Sequence, residues 1–258
     1  THLIPATLEG RAMHNVQNAM FAAALAFSLG IKLDAIRQGL RTFDTTFYQA
    51  PGRMNVFDEH PFKVIFDYAH NAHAVGVMAD LAERLDVQGR RIIVVAGPGD
   101  RRDEDIVAIA ETVAGRFDHY ICRRDDSLRG RDGDEVPGMI AKVLRAKGVA
   151  ETAISIIPDE QEAIDAALKM GKQGDLLLIF ADALARSWKQ VTKFRPAGST
   201  AAPISDADLP NKKTGKPGAG AANPQEQDDP NRAGDAALDA AGFIRDERGL
   251  RFVKESED

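Results

Sequence analysis

KVIFDYAHNAHAVGVMADLAERL, residues 63–85, changes its hydrophobic period part-way along. Val64, Ile65 and Phe66 make a short apolar run that reads as a strand. Further on, Ala74, Met78, Leu81 and Leu85 recur at helical spacing and share one face. Asp67, Tyr68, His70 and Asn71 therefore sit where a strand ends and a helix begins. In open α/β sheets, ligands bind beyond the carboxyl ends of the strands. An aspartate there can accept ribose hydroxyls, and a histidine can donate to phosphate or ring nitrogens. The plainer alternative is that Asp67 or Asn71 caps the helix and His70 is a loop residue.

Outward from this stretch the alternation repeats up to residue 194. Apolar β-branched runs occur at 63–67, 91–96, 118–122, 153–157 and 175–180. Helix-period stretches follow at 73–85, 103–115, 134–147, 160–170 and 183–194, and Asp159 with Glu162 suggests a capping box for the fourth. Such alternation predicts an α/β fold with a doubly wound, mainly parallel sheet. Continuous apolar strands such as IIVVA and LLLIFA fit burial on both faces.

The loops after these strands hold the polar residues. GPGDRRDED, 97–105, opens a helix, a position that favours anions, although the full GxGxxG fingerprint is absent. RRDDSLRGRDGDE, 123–135, carries four arginines and five acidic residues. A run of this kind is commonly a solvated loop. Both signs at a strand end would also suit a zwitterionic amino acid, with carboxylates on a cationic side chain and an arginine on the α-carboxylate. Asp182 and Arg186 lie four apart after the last strand.

Upstream, residues 14–29 are alanine-rich and strongly helical, with Gly30 as a stop. His14 and Asn18 share a face, and Asn15 points near Asn18. Two amides near a helix start can cap it or read a nucleobase edge. A second helix is expected from Asp34, as N-cap, to about Arg41, with Ile36 and Leu40 inward. Pro51-Gly52 marks a turn, with paired strands expected on either side of Asp58–Pro61. Arg53, just after that turn, could stack on a base, bind phosphate, or stay solvated.

Composition narrows the classes. The chain has 258 residues and net charge −6, which disfavours a nucleic-acid-binding surface. A single cysteine, Cys122, excludes an internal disulfide framework and fits a reducing, cytoplasmic setting. No apolar run has membrane-spanning length, and the first residues lack a signal-peptide layout. Position 1 is Thr rather than Met, so the sequence reads as a fragment or a processed product. No GxxxxGK followed by Ser or Thr occurs: Gly171-Lys172 and Gly215-Lys216 precede Gln and Pro. HExxH spacing and a serine nucleophile elbow are absent too. From Pro196 to about Asp235 the composition is that of a disordered linker. The last residues, AGFIRDERGLRFVKESED, could turn a small hairpin at Glu247-Arg248-Gly249, docked on a partner or on the main domain, or solvated.

HNVQNAMFAAALAFSLGI, PGRMNVF and DYAHNAH, in this order, resemble the later part of Mur-type ligases. PGRMNVF, DDSLRGR followed by GDEV, and GDLLLIFADALARSW resemble in particular the Mur-like half of cyanophycin synthetases. The likeness covers roughly residues 10–195. Ala72 departs from it, since the family usually has proline there.

The resemblance implies an ATP-dependent ligase that activates a carboxyl group as an acyl phosphate and forms an amide or isopeptide bond. Residues 1–48 would be the helical end of a central ATPase domain, 51–196 the Rossmann-like Mur ligase C-terminal domain, and 197–258 a linker and tail. By similarity, Asn18 supported by Asn15, together with Arg53, Asp67, His70 and Asn71, would contact ATP. Asp125, Asp126, Arg129, Arg131 and Asp182 would lie near the incoming amino acid, arginine being favoured, with a peptide-like acceptor. No catalytic residue is assigned. The P-loop and the magnesium ligands are expected on a missing domain, in the same polypeptide, a partner chain or a homo-oligomer. Alternatives are a non-catalytic ligase remnant that binds a nucleotide or a partner, and a Mur or folylpolyglutamate-type ligase fragment with another amino acid.

Overall fold

Every strand expected between residues 63 and 180 is present in the computed structural model, which describes residues 2–196 and the strand residues 243–246 and 249–252. The chain divides into two units, Thr1–Asp206 and Ala207–Asp258. In the first, β1 (Asn55–Phe57), β2 (Lys63–Asp67), β3 (Arg91–Val95), β4 (His119–Cys122), β5 (Ile154–Ile156) and β6 (Leu176–Phe180) form one sheet ordered β1-β2-β6-β3-β4-β5. β1 pairs antiparallel with β2, in a register that sets Phe57 against Val64, and all other pairings are parallel.

Side-chain alternation along the strands builds two cores. Ile65, Ile93, Val95, Tyr120, Cys122, Leu176, Leu178 and Phe180 face α3 (Ala72–Arg84), α4 (Asp103–Val113) and α5 (Glu135–Ala146). Val64, Phe66, Ile92, Val94, Ile121, Leu177 and Ile179 face α6 (Glu160–Met170) and α7 (Leu184–Lys193). The strands read as unbroken apolar runs because both faces are covered. Each large aliphatic side chain so buried contributes roughly 1.5–3 kcal/mol before chain entropy is counted.

The helix starts follow local chemistry. Asn71 precedes α3 with extended backbone, and its Oδ1 accepts from Ala74 N at 2.9 Å. Asp159 caps α6, its Oδ1 accepting from the amides of Gln161 and Glu162. Ala72 is the first residue of α3, where a missing N–H costs nothing and a fixed φ helps. Ala72→Pro should therefore raise the unfolding free energy by about 0.4–1 kcal/mol. A lowered midpoint in urea would show that the Asn71–Ala72 backbone does not have the geometry assigned to it.

Before the sheet lie α1 (Met13–Ser28) and α2 (Leu33–Thr42), packed on each other with no residue of either buried. Met20, Phe21, Leu25 and Phe27 are each more than 60% exposed. Asp34 is not the cap of α2: the helix starts at Leu33, and Asp34 lies in its first turn, bonded to Arg37 at 3.0 Å. An acidic residue in that turn suits the helix dipole as well as a cap would have suited the orphan amides. In the second unit, β7 (Phe243–Asp246) and β8 (Gly249–Phe252) pair antiparallel, giving the expected small hairpin. The linker expected from Pro196 to about Asp235 lies, apart from Pro196, outside the described residues. Among those described, no helix is long and apolar enough to cross a membrane.

Candidate functional site

The strand order locates the site. The chain runs outward through β3, β4 and β5, then returns to place β6 between β2 and β3. The helices after β2 and β3 lie on one face of the sheet, whereas α7, after β6, lies on the other. Chain segments leave these neighbouring strands in opposite directions, and a crevice opens at their carboxyl ends.

A small cavity occupies that crevice. Its lining includes Tyr68 and His70 after β2, Ala181 and Asp182 after β6, Pro98 and Arg101 after β3, and Arg123, Asp125 and Arg129 after β4. Asp125 is 8% exposed and makes no hydrogen bond among the described residues; Arg123 Nη1 stands 4.0 Å away. Burial pushes its carboxyl above the ordinary value of 3.8, against the pull of Arg123, and the neighbouring Asp182 charge pushes the same way. Arg129 reaches the other wall, with its Nη1 donating to Asp100 at 2.9 Å. His70 Nδ1 lies 3.0 Å from the Tyr68 carbonyl. A carbonyl can only accept, so the proton sits on Nδ1 and Nε2 is an acceptor in the neutral ring.

Behind the cavity is a buried ion pair. Arg123 is 2% exposed and Glu160 1%, with Arg123 Nη1 3.1 Å from Glu160 Oε2. Arg123 also donates to the Phe180 carbonyl through Nε (3.2 Å) and Nη2 (2.9 Å), and to the Arg124 carbonyl at 2.6 Å. Glu160 accepts from Asp182 N at 2.7 Å, Ala183 N at 3.1 Å and the Ser187 hydroxyl. This one pair ties the end of β4, the end of β6 and the start of α7 together.

A second opening lies beside the first, on the α1 side of β2. His14, Asn15, Asn18, Arg53, Met54, Asp67 and His73 are among its lining residues. Asn15 donates to the Ala6 carbonyl at 2.7 Å and accepts from Asn18 Nδ2 at 3.2 Å, leaving the Asn18 oxygen without a donor among the described residues. Burial lowers the His14 pKa. Arg53 is exposed, its guanidinium 6.0 Å from the centre of the Tyr68 ring. Asp67 is buried, its two oxygens accepting from Met54 N at 2.7 Å and Ala69 N at 2.8 Å. Burial raises its carboxyl above the ordinary 3.8, opposed by those two amides and by Arg53. Asp67 thus fixes the turn that carries Arg53.

Asn55 fixes the same turn from inside. Its Oδ1 accepts from Gly52 N at 2.7 Å and its Nδ2 donates to the carbonyls of Thr45 and Ala50 at 2.8 Å. Gly52 has φ +67°, and a Cβ there would lie 2.7 Å from Leu184. Gly52→Ala should cost about 1–2 kcal/mol from the left-handed backbone alone, with the Leu184 clash adding to it. A midpoint equal to wild type in urea denaturation would contradict this turn.

Among the residues picked from sequence, Asn15, Asn18, Arg53 and Asp67 meet in one opening, and His70, Asp125, Arg129 and Asp182 in the other. Asn71 caps α3. Asp126 pairs with Arg186 on α7 at 2.7 Å, outside both linings. Arg131 is taken up by Asp103, Glu135 and the carbonyls of Gly99 and Arg101. Sequence reasoning missed Arg101, which lies in the loop flagged for anions, and gave no site role to Arg123, Glu160 or Asn55. Cys122 is no nucleophile, since burial pushes its thiol up to about 12.

These features match a known family. Residues 52–183 fit the family described as Mur ligase, glutamate ligase domain. The chain belongs to that family, through the domain that forms the C-terminal part of Mur ligases. It is 39% identical over 191 residues to the cyanophycin synthetase of Geminocystis herdmanii, covering 74% of this chain and 22% of that protein. It is 30% identical over 179 residues to the UDP-N-acetylmuramoyl-L-alanyl-D-glutamate–2,6-diaminopimelate ligase of Geobacter metallireducens, covering 64% of this chain and 34% of that protein. The chain therefore spans about a fifth of the length of the cyanophycin synthetases it matches. Among solved structures, a pseudomurein peptide ligase type C from Methanothermus fervidus superposes with TM-score 0.52 at 24% identity, covering 70% of this chain and 36% of that one. The UDP-N-acetylmuramate-alanine ligase of Thermotoga maritima gives 0.51 at 20%, covering 69% and 37%. These two likenesses establish the fold.

Proposed function

We propose that this chain is the amino-acid-presenting part of an ATP-dependent ligase that joins arginine to the β-carboxylate of an aspartate in a peptide-like acceptor. The observation that carries the reading is the cavity beyond β2, β3, β4 and β6, whose lining combines Asp125 and Asp182 with Arg101 and Arg129. Two carboxylates suit a guanidinium, and two guanidinium groups suit an α-carboxylate. The identity to cyanophycin synthetases supports the choice of arginine.

The second opening would take the nucleotide. Asn18, held by Asn15, would face the base, and Arg53 the phosphates or the ring. Asp67 would accept from the ribose through lone pairs its two amide donors leave free. His70 and Asn71 would shape the mouth between the two ligands. ATP supplies the phosphoryl group that turns the acceptor carboxylate into an acyl phosphate. The arginine α-amine then attacks the acyl carbon, the C–N bond forms as the C–O bond to phosphate breaks, and the amine sheds its proton. This chain's contribution is to hold the amine in line and keep water out. Magnesium offsets phosphate charge in such chemistry. Among the described residues no group of three or more His, Cys, Asp or Glu is placed to hold a metal ion; its ligands are read as lying on the P-loop domain.

Residues 1–48 are read as the helical end of the domain that carries the P-loop, and 51–196 as the C-terminal domain. The exposed apolar side chains of α1 and α2 support this division, because they suit a face covered by more protein. The rest would come from the same polypeptide or from a partner chain, and the 258 residues alone should turn over no ATP. Calorimetric titration with arginine, with lysine and ornithine as controls, tests the reading. Saturable binding selective for arginine supports it. Binding of a diamino acid or of glutamate instead would move the chain to another substrate class. With the P-loop domain restored, failure to release ADP in response to arginine would favour a non-catalytic remnant.

A further inference from the structure

We infer that Glu160 is a positioning residue that keeps both carboxylates of the cavity available to a cationic side chain. The inference rests on the amino-acid reading above and adds to it a residue that touches no ligand. Arg123 is the buried cation nearest Asp125, with Nη1 4.0 Å from its Oδ1. The same Nη1 is only 3.1 Å from Glu160 Oε2. Glu160 thus wins the competition for Arg123, and Asp125 is left without a hydrogen bond, facing the cavity. The two carboxylates come from different elements, so neither placement follows from the other. In the same posture Glu160 accepts the backbone N–H of Asp182 at 2.7 Å and that of Ala183 at 3.1 Å. That fixes the chain as it leaves β6, where Asp182 lines the cavity. Ser187, fully buried, donates its hydroxyl to Glu160 and holds it in place. One carboxylate that never meets the ligand therefore sets two that do.

Glu160→Gln removes the charge and keeps the shape. Among the described residues, Arg123 then has Asp125 as its nearest carboxylate, and Asp125 is drawn out of the cavity. The readout is the ratio of affinities for arginine and citrulline, which differ in the charged end and little else. General loosening of the fold lowers both affinities together; loss of positioning lowers the ratio. The ratio should fall roughly tenfold in E160Q, the size of one charge-assisted hydrogen bond. D125N should lower it similarly, and D125N/E160Q further than D125N alone but by less than the sum of the two single effects, since the part that acts through Asp125 is already lost and the part that acts through Asp182 is not. Ser187→Ala, a smaller change, should lower the ratio less and covers the case in which E160Q does not fold. Amide exchange at Asp182 and Ala183 should speed up in both variants. An unchanged ratio, additive effects in the double variant, or unchanged exchange at Asp182 would overturn the inference. Absence of arginine binding by the unmodified chain would instead overturn the reading of the cavity, with the exchange arm still deciding whether Glu160 anchors Asp182.

Discussion

Replacing Arg123 by methionine lowers the unfolding free energy by about 3–5 kcal/mol, the usual cost of breaking a buried ion pair from one side. The reason is the company this guanidinium keeps. It is 2% exposed, donates to two backbone carbonyls and forms an ion pair with Glu160. Methionine fills much of the space but leaves the Phe180 carbonyl without that donor and Glu160 charged in a low-dielectric interior. Glu160 keeps three donors from Asp182, Ala183 and Ser187, which favours the lower end of the range. The double variant R123M/E160Q should recover a good part of the loss, because both charges leave together. Urea denaturation measures all three chains. A loss below about 1 kcal/mol for R123M would mean that the pair is not desolvated as the burial implies.

Asp125→Asn has effects of opposite sign on stability and on binding. The Asp125 carboxyl is raised above 3.8 chiefly by burial. Its ionised form is therefore less favoured in the folded chain than in the unfolded one. Between 3.8 and the raised folded value, the folded state holds more proton than the unfolded state, so stability falls as pH rises through that window. Above the window the penalty is complete. Asparagine carries none of it, so D125N should be more stable than wild type at pH 7 by roughly 0.5–1 kcal/mol. That advantage should shrink on acidification and vanish below 3.8. Arginine affinity should fall about tenfold or more, since a charge-assisted contact is lost. Denaturation at several pH values and one titration decide it. A variant less stable than wild type at pH 7 would show that the attraction to Arg123 outweighs desolvation.

The layered fold was legible because parallel strands covered on both faces become unbroken apolar runs, and IIVVA or LLLIFA can hardly be anything else. The order of the strands was not. Nothing in LLLIFA says that it slots between β2 and β3; that follows from which face each crossover helix covers. The strand end pointed to Asp67, and the resemblance to Mur-type ligases pointed to Asp125 and Asp182; Asp67 also holds the turn before β1. Composition could not say which member of RRDDSLRGR faces inward. Asp126 is captured by Arg186, and Arg131 by the loop after β3, through contacts between segments far apart in sequence. Arg123 and Glu160 were hidden for the same reason. One follows a strand and the other follows a capping aspartate, and only the sheet brings them together.

The place of β6 also constrains how the chain comes to be folded. The strand that joins β2 to the rest of the parallel set is the last of the six to be synthesised. Until Phe180 has left the ribosome, β2 and β3 have no neighbour on the sides that β6 will fill, and their apolar faces and unpaired amides stay open. Contacts of long sequence separation make such sheets slow to close, and unpaired edges invite association in the meantime. A nascent chain stopped anywhere before residue 176 would hold the two halves of the sheet with nothing to join them. The native state is reached only when the joining strand arrives.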